Sequence, residues 1–191
     1  MTDPTPYLFW ITARAGGIAA LVLSGLAVSL GLSMNSSLVK RVGKANLRIA
    51  HEALALASIA AIVIHAGSLL GDHYLHSSVL DVTVPLVSSY QTLWTTLGIL
   101  GGWGLILLGF SYYARKRIGS DRWRTLHRFT ALAWLSGLIH ALGEGTDSGQ
   151  LWFWAMLAVV ALPALWLLAA RTFGRQAKRA RMRPSRLISG A

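Results

Sequence analysis

The chain contains no cysteine. Disulfides, thiolate metal sites, covalent c-type haem attachment and iron–sulfur clusters are therefore excluded within it. It has no GxGxxG or Walker-type loop and no polar stretch long enough for a nucleotide-binding domain, so any flavin or pyridine-nucleotide chemistry is expected from another polypeptide. Acidic residues are scarce, with seven Asp and Glu against 18 Lys and Arg, which leaves a net charge of +11. No arrangement of side chains reads as a general acid, a general base or an activated nucleophile, so no catalytic residue is expected.

What the chain has in abundance is apolar sequence. Hydrophobic residues make up 54% of its 191 residues and its mean hydropathy is +0.52, against about 45–50% apolar in an ordinary soluble domain. They fall in five runs, near 8–33, 46–70, 91–113, 124–143 and 150–170, with most charges between them or near their ends. This pattern predicts an all-α integral membrane bundle of five transmembrane helices. The first run has no basic residue before it and is too long for a signal-peptide core, so it is expected to stay in the mature protein.

The basic residues decide the topology. Lys40, Arg41, Lys44 and Arg48 lie between runs one and two, six more from Arg115 to Arg128 lie between three and four, and seven lie in the 171–191 tail. Together they account for 17 of the 18, the exception being Arg14. The alternate loops carry Asp72, Asp81, Glu144 and Asp147 and no Lys or Arg. The positive-inside rule then places the N-terminus outside and the C-terminus in the cytoplasm of a plasma (inner) membrane. Anionic lipid headgroups are the expected partner of the basic tail, and nucleic acid is not.

Four histidines stand inside the apolar runs, His51 and His65 spaced by 14 in run two, His127 and His140 by 13 in run four. At 1.5 Å per residue each spacing separates its histidines by about 20 Å along the helix. Runs two and four are parallel in the deduced topology, so His51 faces His127 near the inner side and His65 faces His140 near the outer. Opposed imidazoles at equal depth suit six-coordinate haem iron at two levels. The competing readings are histidines satisfied by neighbouring carbonyls and a zinc site, for which two nitrogens per level are too few. On an ideal helix a step of 14 returns within about 40° of one face, but a step of 13 misses by about 140°. Run four is therefore expected to be irregular, with Ser136 and Gly137 as candidate positions. Run two is rich in small residues from Ala53 to Ala61, which leave room for a flat macrocycle or simply let helices pack closely.

The segment WRTLHRFTALAWLSGLIHALGEGTD, with AHEALALASIAAIVIHAGSLLGDHYL upstream and the loop DVTVPLVSSYQTLW between them, resembles the bacterial ferric reductase-like transmembrane domain proteins. That superfamily includes NADPH oxidases, eukaryotic ferric reductases and the haem subunit of periplasmic methionine sulfoxide reductase. The resemblance covers roughly residues 8–170. It implies two bis-histidine b-type haems, His51 with His127 on the inner side and His65 with His140 on the outer, between helices two and four, moving electrons from inside to outside. Many relatives carry six helices and a cytoplasmic flavin domain, whereas five runs are read here, so the donor is expected to be a separate flavoprotein or a quinone. The expected acceptor is a ferric chelate, oxygen or a periplasmic protein.

Further candidates surround these histidines. Arg14, inside run one, suits a haem propionate or snorkels to headgroups. Trp134, between His127 and His140, is a candidate electron relay or a packing residue. His73 and His76 beside Asp72 form a candidate outer metal site or a solvated loop. Arg48, Arg124 and Arg128 suit inner propionates or a donor's acidic surface. Trp94, Trp123, Trp152 and Trp154 read as an interfacial belt. Pro163 is expected to bend run five, and Gly16 with Gly17 to let run one approach its neighbours. Two other functions stay open: a haem-bearing anchor and electron-relay subunit (or quinol-linked cytochrome b) serving a separate reductase, and a haem-free membrane protein such as a transporter.

Overall fold

The computed structural model describes residues 7–34 and 43–182, and every regular element among them is helical. Lys40 and Arg41 of the first basic loop and the tail beyond 182 lie outside the described residues. Helix α1 is Leu8–Ser33, α2 Lys44–Leu69, α3 Val79–Thr83, α4 Thr92–Phe110, α5 Arg115–Ile118, α6 Ser120–His127, α7 Thr130–Glu144 and α8 Leu151–Met182. Four of these are long and apolar enough to cross a membrane: Leu8–Ser33, Ala45–Leu69, Thr92–Phe110 and Leu151–Phe173. The outward faces carry Ile49, Leu56, Val63, Leu93, Leu100, Leu107, Val159 and Leu162, all exposed. Apolar surface of that extent belongs in lipid. The chain is a multi-pass membrane protein.

Two antiparallel hairpins organise the bundle, α1 against α2 and α4 against α7, with α8 closing on α1. Small residues set the spacing. A Cβ on Gly16 would come within 3.0 Å of the His65 backbone nitrogen, and one on Gly101 within 2.8 Å of that of Gly137. Close backbone approach gains the dispersion contacts that hold membrane helices together, because lipid supplies no hydrophobic drive between them. The expected close approach of run one through Gly16 is thus observed. Trp134, 1% exposed, fills the junction of α1, α7 and α8 against Leu21, Leu138, Phe153 and Leu157.

Run four differs most from expectation. It is broken into α6 and the 15-residue α7 at Arg128 and Phe129. There Arg128 N–H donates to the Thr125 carbonyl and Phe129 N–H to that of Leu126, tighter three-residue bonds in place of the α-helical ladder. The irregularity therefore follows His127 directly and does not lie at Ser136 and Gly137, which sit within the regular α7. Ser136 instead donates to the Leu97 carbonyl at 2.7 Å, and Gly137 serves the crossing with α4. Gly119, at φ +91°, makes the sharp turn between α5 and α6.

Helix α8 runs through Pro163 without interruption and extends to Met182, beyond the 170 expected from the apolar run. The 71–91 connection carries α3, opened by a reciprocal cap between Ser78 and Asp81. The Ser78 hydroxyl and backbone N–H hold the Asp81 carboxyl below the usual carboxylate range. Trp103 Nε1 of α4 donates to the Thr83 carbonyl at 2.9 Å and ties this connection down.

Candidate functional site

The hairpins bring the four histidines together in two pairs. His51 and His127 have ring centroids 6.1 Å apart at 84°, and His65 and His140 are 6.3 Å apart at 69°. The break after His127 explains how a 13-residue step can serve two levels: His127 ends α6, so its azimuth is not tied to the ideal progression that places His140 on α7.

Three of the rings are held in the same way. His65 Nδ1–H donates to the Ala13 carbonyl at 2.7 Å, His51 Nδ1–H to that of Ala27 at 2.9 Å, and His140 Nδ1–H to that of Trp94 at 2.9 Å. A carbonyl only accepts, so the proton sits on Nδ1 and Nε2 keeps its lone pair free. Each ring also lies against a glycine four residues after its carbonyl partner. A Cβ on Gly17 would meet His65 Nδ1 at 3.1 Å, one on Gly31 would meet His51 Cε1 at 3.0 Å, and one on Gly98 would meet His140 Nδ1 at 2.7 Å. Helix α1 thus carries an Ala-x-x-x-Gly seat twice, 14 residues apart, matching the 14-residue step of α2.

His127 departs from the pattern. It faces the Leu108 carbonyl, but its Nδ1 is buried without a hydrogen bond. Its ring is covered instead by Trp123, stacked at 4.9 Å and 25°. Trp123 is fixed by its own donation to Ser111 Oγ at 3.1 Å, and Tyr112 meets it edge-on. Beside His51, Glu52 accepts from the Tyr113 hydroxyl at 2.7 Å, joining α2 to the end of α4.

At the His65/His140 level a mostly apolar cavity of about 570 Å³ opens, bordered by both rings, Arg14, Gly17, Gly98 and Trp134. That volume lies within the range of small-molecule and cofactor sites, about 300–1,000 Å³. Arg14 borders it with its guanidinium already engaged: Nε donates to Asp147 Oδ2 at 2.7 Å, Nη2 pairs with the other oxygen, and Trp10 lies beneath. Glu144 reaches the same cavity, its Oε2 3.2 Å from His140 Nδ1.

The 71–91 connection does not assemble the metal site suggested for Asp72, His73 and His76. Asp72 turns inward and accepts the backbone N–H of Tyr74 at 2.7 Å, while both histidines are exposed. No three metal-ligating side chains converge among the described residues. Arg48, Arg124 and Arg128 are exposed, and Arg124 pairs with Asp121 at 3.4 Å.

Sequence reasoning missed Trp123, Glu144 and the α1 seats. The first two stand four residues from a histidine on the same helix, where side chains share a face. The third was visible as a repeat of α1 in step with the histidines.

No curated protein and no solved structure matches the chain. A family model does, described as the ferric reductase like transmembrane component, over residues 16–138. That span includes His51, His65 and His127 and stops two residues before His140. With more than half of its length matched, the chain belongs to the ferric reductase like transmembrane component family.

Proposed function

We propose that this chain is the membrane electron conduit that its family membership suggests in general terms, and that its two histidine pairs are the axial ligands of two b-type haems. Haem iron, when bound, carries one electron at a time by alternating between ferric and ferrous states. The observation that carries the reading is the separation of the paired rings. Two metal–imidazole bonds of about 2.0 Å, with about 1.1 Å from nitrogen to ring centre on each side, would span about 6.2 Å between centroids. The pairs stand at 6.1 and 6.3 Å. The donor set fits as well, since three of the four rings are anchored through Nδ1 and leave Nε2 available.

In this reading His51 and His127 hold the inner haem and His65 and His140 the outer one. The break-bearing α6–α7 segment completes a fifth crossing, with the N-terminus outside and the basic C-terminal tail in the cytoplasm of a plasma membrane, against anionic lipid. The carbonyls of Ala13, Ala27 and Trp94 orient the ligands, and the glycines opposite give the rings room. Arg14 offers its Nη1 edge to an outer propionate while Asp147 holds the rest of its guanidinium. Trp134, packed in the core between the two levels, is the candidate bridge between them. Electrons pass from a cytoplasmic flavoprotein or a membrane quinone to a ferric chelate, oxygen or a protein outside.

The test is a dithionite-reduced minus oxidised spectrum with a haem-to-protein ratio on wild type and His65→Ala. Two haems falling to one supports the reading, and a colourless wild type overturns it. A second reading, that of a relay subunit without its own acceptor site, is favoured by copurification of a reductase together with failure to reduce soluble acceptors alone.

A further inference from the structure

Three of the four histidines donate Nδ1–H to a backbone carbonyl, but only His140 has a carboxylate at the same nitrogen. Glu144 lies one turn further along α7, and its Oε2 is 3.2 Å from His140 Nδ1, beside the Trp94 carbonyl at 2.9 Å. The carboxylate is not a solvated surface group. Its side chain is 18% exposed, it borders the cavity, and the Thr95 hydroxyl of α4 lies 3.3 Å from Oε1 and 3.2 Å from Oε2. Glu144 is also the last residue of α7. A negative charge there opposes the helix dipole, so the position is unfavourable for the helix itself. The carboxylate faces His140 Nδ1, and the Thr95 hydroxyl, which also lies 2.8 Å from the Tyr90 carbonyl, has one proton to share between the two acceptors.

We propose that Glu144 is a positioning residue for His140 that holds the redox centre on the His65/His140 pair at a lower potential than the one on His51/His127. The proposal rests on the reading of these histidines as haem ligands. Two effects act in the same direction. A carboxylate sharing the Nδ1 proton draws it away from the ring and makes Nε2 a stronger donor, which favours ferric over ferrous iron. Its negative charge, in the low dielectric of a membrane bundle, also favours the more positive ferric state. At the other level neither ring has a carboxylate beside it: His51 donates to the Ala27 carbonyl and His127 faces that of Leu108. On these contacts the centre on the Glu144 side is the more reducing.

The experiment is a spectroelectrochemical titration of the purified, haem-loaded full-length protein, wild type against Glu144→Gln, with low-temperature EPR of the oxidised low-spin signals. Glutamine keeps the length and a hydrogen-bond acceptor but removes the charge. The expected result is retention of both haems, a rise of the lower potential by about tenfold in the ferric/ferrous equilibrium, which is about 59 mV for one electron, and one shifted EPR signal. The higher potential stays in place. The signal that moves is the one missing in His140→Ala. Both haems present with both potentials unchanged overturns the role of Glu144 and leaves the ligand reading standing, as does a shift confined to the His51/His127 centre. Two haems retained in His140→Ala overturns the ligand reading itself. If Glu144→Gln does not assemble, Glu144→Asp is used. An unaltered potential and EPR signal in that variant, whose shorter side chain withdraws the carboxylate from Nδ1, counts against the proposal, and an upward shift supports it.

Discussion

At the His65/His140 end of the bundle both rings donate to a carbonyl of the facing helix and both lie against a glycine, whereas at the other end only His51 does. His127 is held by stacking under Trp123, with its buried Nδ1 unbonded. The His65/His140 pair is fixed through polar contacts and opens on a cavity bordered by Arg14 and Glu144. The His51/His127 pair depends on an aromatic lid next to a helix break. Polar anchoring fixes ring orientation and raises donor strength together, while stacking fixes position through the ring faces. One family scaffold thus holds two similar pairs by different physical means.

The strongest way to break the comparison is to delete a ligand from each end. His140→Ala and His127→Ala are each expected to halve the haem-to-protein ratio, and difference spectra should show different centres missing. Next is crowding of the rings. Gly98→Ala puts a methyl group within 2.7–2.9 Å of three atoms of the His140 ring, closer than Gly31→Ala comes to His51. Overpacking of this kind costs about 1–3 kcal/mol. Outer haem occupancy should fall more in Gly98→Ala than inner occupancy does in Gly31→Ala, measured by the same ratio. Equal losses would dissolve the difference between the two seats.

Removing a charge comes third. Asp147→Asn leaves Arg14 without its carboxylate, but Arg14 is 37% exposed. Solvent and headgroups therefore limit the cost to about 1–2 kcal/mol, below the 3–5 typical of a fully buried pair. Thermal unfolding in detergent should move down modestly with both haems retained. Smallest is Trp123→Leu, which removes a stacked pair worth about 0.5–1.5 kcal/mol. Haem release to an apo-protein acceptor should speed up by about two- to tenfold at the inner level and stay unchanged at the outer.

The long helices were legible because each is a plain apolar run bounded by charge, and the pairing of histidines followed from spacing and charge alone. Run four was legible only as a conflict. The 13-residue step required an irregular helix, but the sequence around Arg128 and Phe129 holds no proline or glycine to mark the break, so the expectation went to Ser136 and Gly137. Tertiary contact decided the matter, since Gly137 is needed smooth against Gly101. The partner of Arg14 was hidden for a similar reason. Asp147 lies 133 residues away in a loop, and only the fold brings the two together. Trp123 was read as a membrane-interface residue because an interfacial tryptophan and a lid over a histidine look alike in sequence. The α1 seats needed a comparison of two helices, Ala13 and Gly17 with Ala27 and Gly31, set against the 14-residue step from His51 to His65.

The central claim is that the two ring pairs, 6.1 and 6.3 Å apart, each hold one haem. The most direct measurement is the pyridine haemochrome content of the purified wild-type chain beside that of His65→Ala. The account predicts two b-type haems per wild-type chain and one in the variant. A wild-type protein without Soret absorption, or a variant that keeps both haems, would contradict it.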